Sequence, residues 1–138
     1  MRSALRSIAA VVAGFIAASI VMMLIESING QVLYPDLAKA ATGIKDRDTL
    51  RTLLATAPMG AFLVVLAGWM LGSLIGGWIA ARLAGRATVW HGLALGALLT
   101  LAGLANNLML PPPLWFFIAS LLLLLPATYV GARLAPTR

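Results

Sequence analysis

The run PMGAFLVVLAGWMLGSLIGGWIAARLAGR, residues 58–86, settles the fold class of this chain. It opens on Pro58, which suits the first turn of a helix because its missing N–H costs nothing there. From about 59 to 83 it stays almost wholly apolar, and a helix needs about 20 such residues to cross roughly 30 Å of hydrocarbon. Three more blocks of this kind stand at about 8–28, 89–110 and 114–134. They are continuous rather than alternating, and barrel strands are about half as long, which argues against strands. With 62% hydrophobic and 10% charged residues and a mean hydropathy of +0.99, the chain has too few polar residues to coat a water-soluble domain. The reading is all-α: an integral membrane four-helix bundle, one domain over residues 1–138.

Charge orients it. Arg2 and Arg6 precede span one, Arg82 and Arg86 lie between spans two and three, and Arg133 and Arg138 follow span four. No acid lies in those three regions, whereas Asp36, Asp46 and Asp48 nearly balance Lys39, Lys45, Arg47 and Arg51 in the connection at 29–57. An even number of spans with this asymmetry puts the N- and C-termini in the cytoplasm. The net charge of +6 is thereby an orientation signal, and nucleic acid is not an expected partner. Block one is longer than the apolar core of a signal peptide and lacks a clear A-x-A site, so it reads as a retained span. The Arg-over-Lys and Ala/Leu bias suggests a GC-rich bacterium, hence its inner membrane.

Short connections at 84–88 and at Pro111-Pro112-Pro113 make spans two, three and four antiparallel neighbours. The long connection predicts a helix at about 49–56, capped by Asp48, with Leu50, Leu53 and Leu54 on one face. The segment 30–45, containing Tyr34-Pro35-Asp36, reads as a turn or loop with room for one helical turn. Span two ends in Ile79-Ala80-Ala81-Arg82-Leu83-Ala84 and span four in Val130-Gly131-Ala132-Arg133-Leu134-Ala135. That likeness fits a parallel repeat of two helical hairpins, although small residues and arginine can end any inward-running helix.

Gly68, Gly72 and Gly76, followed by Gly77, Ala80 and Ala84, form a small-residue seam on span two. Such a seam lets another helix backbone approach closely. The expected partner is span three, through Gly92, Gly96 and Thr100, and a contact between copies of the chain is the alternative. Glu26 is the only acid inside a span, about 12 Å from the midplane at about 1.5 Å per residue. Asn106 or Asn107 is its expected partner, with Tyr34, Gln31, Asn29 and Trp115 completing a polar, aromatic-edged cluster. An intramembrane acid points to a ligand or proton site. The competing reading is a helix-end acid reaching water beside amides that cap or join helices. Trp69, near mid-span, reads as packing bulk beside the glycines.

Chemistry is otherwise sparse. There is no cysteine, and the single histidine, His91, has too few partners for a metal site, so no metal or cofactor is expected. No nucleophile–base pattern or phosphate loop suggests an enzyme.

Tyr34-Pro35, Pro58-Met59-Gly60-Ala61, Gly72-Ser73-Leu74-Ile75-Gly76-Gly77-Trp78 with Ala80-Ala81-Arg82, and Pro113-Leu114-Trp115 cover most of the chain. In these the chain resembles a broad group of small bacterial four-helix inner-membrane proteins of unknown function. The resemblance implies a fold and a membrane address and carries no site residue. Two functions then stand. One is a structural or accessory bundle, surrounded by lipid, that joins copies of itself or a larger membrane complex through its small-residue faces. The other is a small transporter, channel or lipid-binding protein using the cluster around Glu26. Assembly ranks first, because a conducting path needs polar residues at every depth and the inner halves of the spans hold few.

Overall fold

A computed structural model of the chain describes residues 1–136; Arg138, one of the six orienting arginines, lies outside the described residues. The described residues are helical and contain no strand. Six α-helices follow in order: α1 (Arg2–Ile28), α2 (Pro35–Ala41), α3 (Arg47–Ala55), α4 (Met59–Ala84), α5 (Thr88–Met109) and α6 (Leu114–Leu134). Four of them, α1, α4, α5 and α6, are long and apolar enough to cross a membrane, as expected of a multi-pass membrane protein. They alternate in direction, giving an arginine end and a loop end.

The connection at 29–57 is more ordered than its composition implies. α1 does not stop at Ile28 but widens into a π-helical turn, Asn29–Leu33, closed by Tyr34 N–H donating to the Asn29 carbonyl at 2.8 Å. Buried Asn29 pins this turn to α4, its Nδ2 donating to the Ala61 carbonyl at 3.1 Å. Pro35 then starts α2, two turns where a loop with one helical turn is expected. Asp46, not Asp48, caps α3. Its carboxylate accepts from both the backbone N–H and the hydroxyl of Thr49, at 3.0 and 2.6 Å. These two bonds, the hydroxyl's first, hold the Asp46 carboxyl below its ordinary value of 3.8. Thr49 sits three residues after Asp46, the spacing at which a cap reaches the first turn. Arg51 stands at the same spacing from Asp48, but only Thr49 adds a hydroxyl to the backbone N–H, which favours Asp46 as the cap.

Packing centres on α4. One face meets α1: a Cβ built on Gly72 would stand 2.8 Å from the Ala18 carbonyl oxygen, and one on Gly76 would stand 2.6 Å from that of Gly14. Gly68 receives the side chain of Ile25. The partner of the seam is therefore α1, not α5. The reason is a matching stripe on α1, where Ala10, Gly14 and Ala18 are all buried. Another face of α4 meets α6, with Gly77 against the Thr128 backbone and Gly131 against that of Leu74. Gly92 and Gly96 of α5 turn to Thr128, Ala132 and Leu125 of α6. At the arginine end, Arg6 Nε donates to the Leu83 carbonyl at 2.9 Å, placing a cation on the closing turn of α4. Of the membrane-length helices that pack on one another, α1 and α5 touch least.

The Gly77 contact is backbone against backbone, so no side chain can yield. Gly77→Ala is expected to lower stability by about 1–3 kcal/mol, the usual cost of overpacking, as measured by unfolding in detergent. Gly30→Ala, whose Cβ would meet Ala38 at an ordinary 3.4 Å, serves as the control and is expected to change little. Since the glycine faces are internal, the oligomeric state is expected to stay the same in both variants.

Candidate functional site

The poorly closed side of the bundle, between α1 and α5, holds a cleft of about 230 Å³. Phe15, Ser19, Met22, Met23 and Glu26 line it from α1, and Leu99, Ala102, Gly103 and Asn106 from α5; Trp69 and Leu124 form its back. Most of this wall is apolar.

Packing sets the depth of the acid. Ile25 lies against Gly68, and α4 has its midpoint near Leu71 and Gly72. Glu26 therefore stands roughly 7 Å from mid-height and Trp69 roughly 4 Å, at about 1.5 Å per residue. Both fall well inside a hydrocarbon layer whose half-thickness is about 15 Å. Counted along α1 itself, whose helical run Arg2–Leu33 is centred between residues 17 and 18, Glu26 stands about 12 Å from mid-height. The two helices thus place it between about 7 and 12 Å, within the hydrocarbon layer on either count.

Trp69 Nε1 donates to Glu26 Oε1 at 2.6 Å. The indole, expected only to fill space, is thus the partner of the acid, in place of Asn106 or Asn107. Its ring is held edge-on to Phe116, with centroids 5.9 Å apart, and Phe116 packs in turn on Phe62 and Trp115. Aromatic edge packing of this kind fixes the plane of the indole and hence the aim of its N–H.

The expected cluster separates into parts. Asn106 lines the cleft beside Glu26, with its side chain exposed. Asn107, one residue on, points away from it and is buried. Its Nδ2 donates to Ser120 Oγ at 2.9 Å, while its Oδ1 has no partner. Tyr34 folds over Gly60, and Trp115 stands edge-on to Phe62; neither lines the cleft. Gln31 is exposed, and Asn29 is bound to α4. His91 lies on the same α1–α5 side at the arginine end, in an apolar groove with Ile8, Val12 and Trp90. Its Nδ1 is 2.9 Å from the Ala87 carbonyl, which can only accept, so Nδ1 carries the proton of that bond.

Trp69 could have been found from the sequence. Pairing Gly14 with Gly76 and Ala18 with Gly72, antiparallel, puts residue 26 opposite about residue 64, and Trp69 is the nearest residue of α4 with a side-chain donor.

Comparison with protein-family models, with curated proteins and with solved structures finds no match.

The chain has four tryptophans, so the bond can be followed directly. In a ¹⁵N–¹H spectrum, Glu26→Leu is expected to move one indole N–H resonance strongly upfield and leave the other three nearly in place. Trp69→Phe is expected to delete that same resonance. Movement of several indole signals, or of none, would remove the pairing.

Proposed function

We propose that this chain is a bacterial inner-membrane protein that binds an amphiphile in the α1–α5 seam, with a hydrogen-bond-donating head at Glu26 and Asn106. The observation that carries the reading is a carboxyl group in the wall of an apolar cleft at hydrocarbon depth, with Oε1 engaged by Trp69. Oε2, the Asn106 amide oxygen and the Ser19 hydroxyl are acceptors that line it. Ionisable groups are costly inside a membrane and mark substrate or ion paths. An apolar cleft with a few convergent polar groups is also the usual form of a small-ligand site. Towards the arginine end the same α1–α5 side carries a second groove, along Ile8, Val11, Val12, Ala94 and Leu98, whose volume of about 400 Å³ suits a hydrocarbon tail.

Assembly through small-residue faces has less support. Gly68, Gly72, Gly76, Gly77, Gly92 and Gly96 all meet helices of their own chain. In the orientation proposed here both termini are cytoplasmic, because Arg2, Arg6, Arg82, Arg86 and Arg133 belong to one end of the helices. A parallel repeat of the hairpins α1–α4 and α5–α6 is also part of the reading. Superposing Arg82 on Arg133 makes Gly77 equivalent to Thr128, and these two residues touch, as residues near a two-fold axis would.

The test is native mass spectrometry of the protein taken from its membrane in nanodiscs. Wild type is expected to retain a small amphiphile that Glu26→Leu loses, with about tenfold or greater weakening for a lost hydrogen bond in an apolar site. Glu26→Gln, which keeps an acceptor, is expected to retain part of it, and all three proteins are expected to melt cooperatively. An identical bound complement in wild type and Glu26→Leu would end the reading. A retained second protein in its place would favour assembly.

A further inference from the structure

A separate cavity of about 410 Å³ lies at the loop end, between α3 and the α5–α6 connection. It shares no lining residue with the seam, so a ligand bound there is independent of the amphiphile reading. Its apolar wall is Pro111, Pro112, Pro113, Leu114 and Phe117. Arg47 and Arg51 of α3 face it, and its lining contains no carboxylate. These arginines are four residues apart and so occupy one helix face. Arg47 Nε donates to the Leu108 carbonyl at 3.2 Å, which lays the side chain over the end of α5 and leaves its terminal N–H groups for a guest.

Two further features point the same way. α6 begins on this cavity, and its N-cap, Pro113, offers no side-chain cap. The unpaired N–H groups of its first turn therefore add the positive end of a helix dipole to the two guanidinium groups. Asn107, only 1% exposed, also lines the cavity. The Ser120 hydroxyl donates to the Phe117 carbonyl at 3.1 Å and so can only accept from Asn107 Nδ2. That leaves Asn107 Oδ1 as a buried acceptor without a donor. The site thus combines three sources of positive potential with one acceptor. Its ligand must carry an anion and, beside it, a hydrogen-bond donor.

We infer that this cavity binds the head group of a membrane phospholipid. The phosphodiester lies between Arg47, Arg51 and the first turn of α6. The Asn107 amide, whose Oδ1 is otherwise closed off, turns so that this oxygen accepts from a head-group ammonium or hydroxyl. A lipid rather than a soluble phosphate is indicated by the surroundings. Leu108, Met109 and Leu114, at the adjoining ends of α5 and α6, are 52%, 75% and 73% exposed and offer an apolar bed for the acyl chains.

The experiment titrates the full chain in detergent with short-chain phosphatidylethanolamine, phosphatidylcholine of the same chain length, and inorganic phosphate. Binding is read by native mass spectrometry and by the melting temperature. The two lipids have equal net charge, but only the ethanolamine head donates, so it is expected to bind several-fold more tightly. Arg51→Ala is expected to weaken it about tenfold or more, as loss of a hydrogen bond to a charged group does. Lys45→Ala, which removes the same charge elsewhere in the connection, is expected to leave binding unchanged. Arg51→Lys, which keeps the charge without the planar fork, is expected to fall between and covers the case of a misfolded alanine variant. Equal binding of the two lipids, undiminished binding by both Arg51 variants, or equal stabilisation by inorganic phosphate would overturn the assignment.

Discussion

The close approach of α4 to two neighbours at once is the contact from which the other features derive. Helices in hydrocarbon gain nothing from hiding apolar surface from one another, so dense contact between backbones is what holds them together. Gly72 and Gly76 admit the backbone of α1, and Gly77, on another face, admits that of α6. These contacts fix the register of α1 along α4, and the register brings Glu26 level with Trp69. α5 is held by α6, through Gly92 and Gly96, and touches α1 little. The seam is the part of the bundle that this scheme leaves unclosed.

An acid beside that seam then has a chemical meaning. In water its cost would be small, and in hydrocarbon it is retained only with a partner. Trp69 supplies one donor without adding a charge, and Phe116, Phe62 and Trp115 hold the indole in place. The arrangement leaves the face of the carboxyl turned to the cleft free to meet a guest. Seven residues lining the cleft on α1 and α5 are uncharged and mostly apolar, so its polar character comes from Glu26 and Asn106, with the Ser19 hydroxyl about two turns from Glu26 along α1.

Much of the fold was legible because a membrane restricts the choices. Continuous apolar blocks, with prolines and arginines at their ends, place α4, α5 and α6 to within a residue, whereas α1 begins six residues before its apolar block and continues as a π-helical turn beyond it. What failed were the relations between segments. The glycines of α4 advertised a close contact, but α5 has glycines too, and the quieter stripe Ala10-Gly14-Ala18 on α1 was the true complement. That error hid the partner of Glu26, since Trp69 comes level with it only in the α1–α4 register. Asn106 and Asn107 looked like one feature, yet adjacent helical residues point about 100° apart, and they serve different cavities. In the connection at 29–57, choosing Asp46 over Asp48 as the cap required noticing Thr49 three residues on. The π-helical turn has no local signature in the residues that form it.

A binding seam between α1 and α5 can be probed with a photoactivatable long-chain alcohol, a minimal amphiphile with a donor head, in nanodiscs containing the full chain. Peptide mapping after irradiation is expected to place the label on Phe15, Met22, Met23 and Ala102, with little on Ile16 and Ile20, which face outward from α1. Glu26→Leu is expected to abolish that preference. Labelling spread evenly over the exposed residues of α1, and unchanged in Glu26→Leu, would contradict a binding seam at this place.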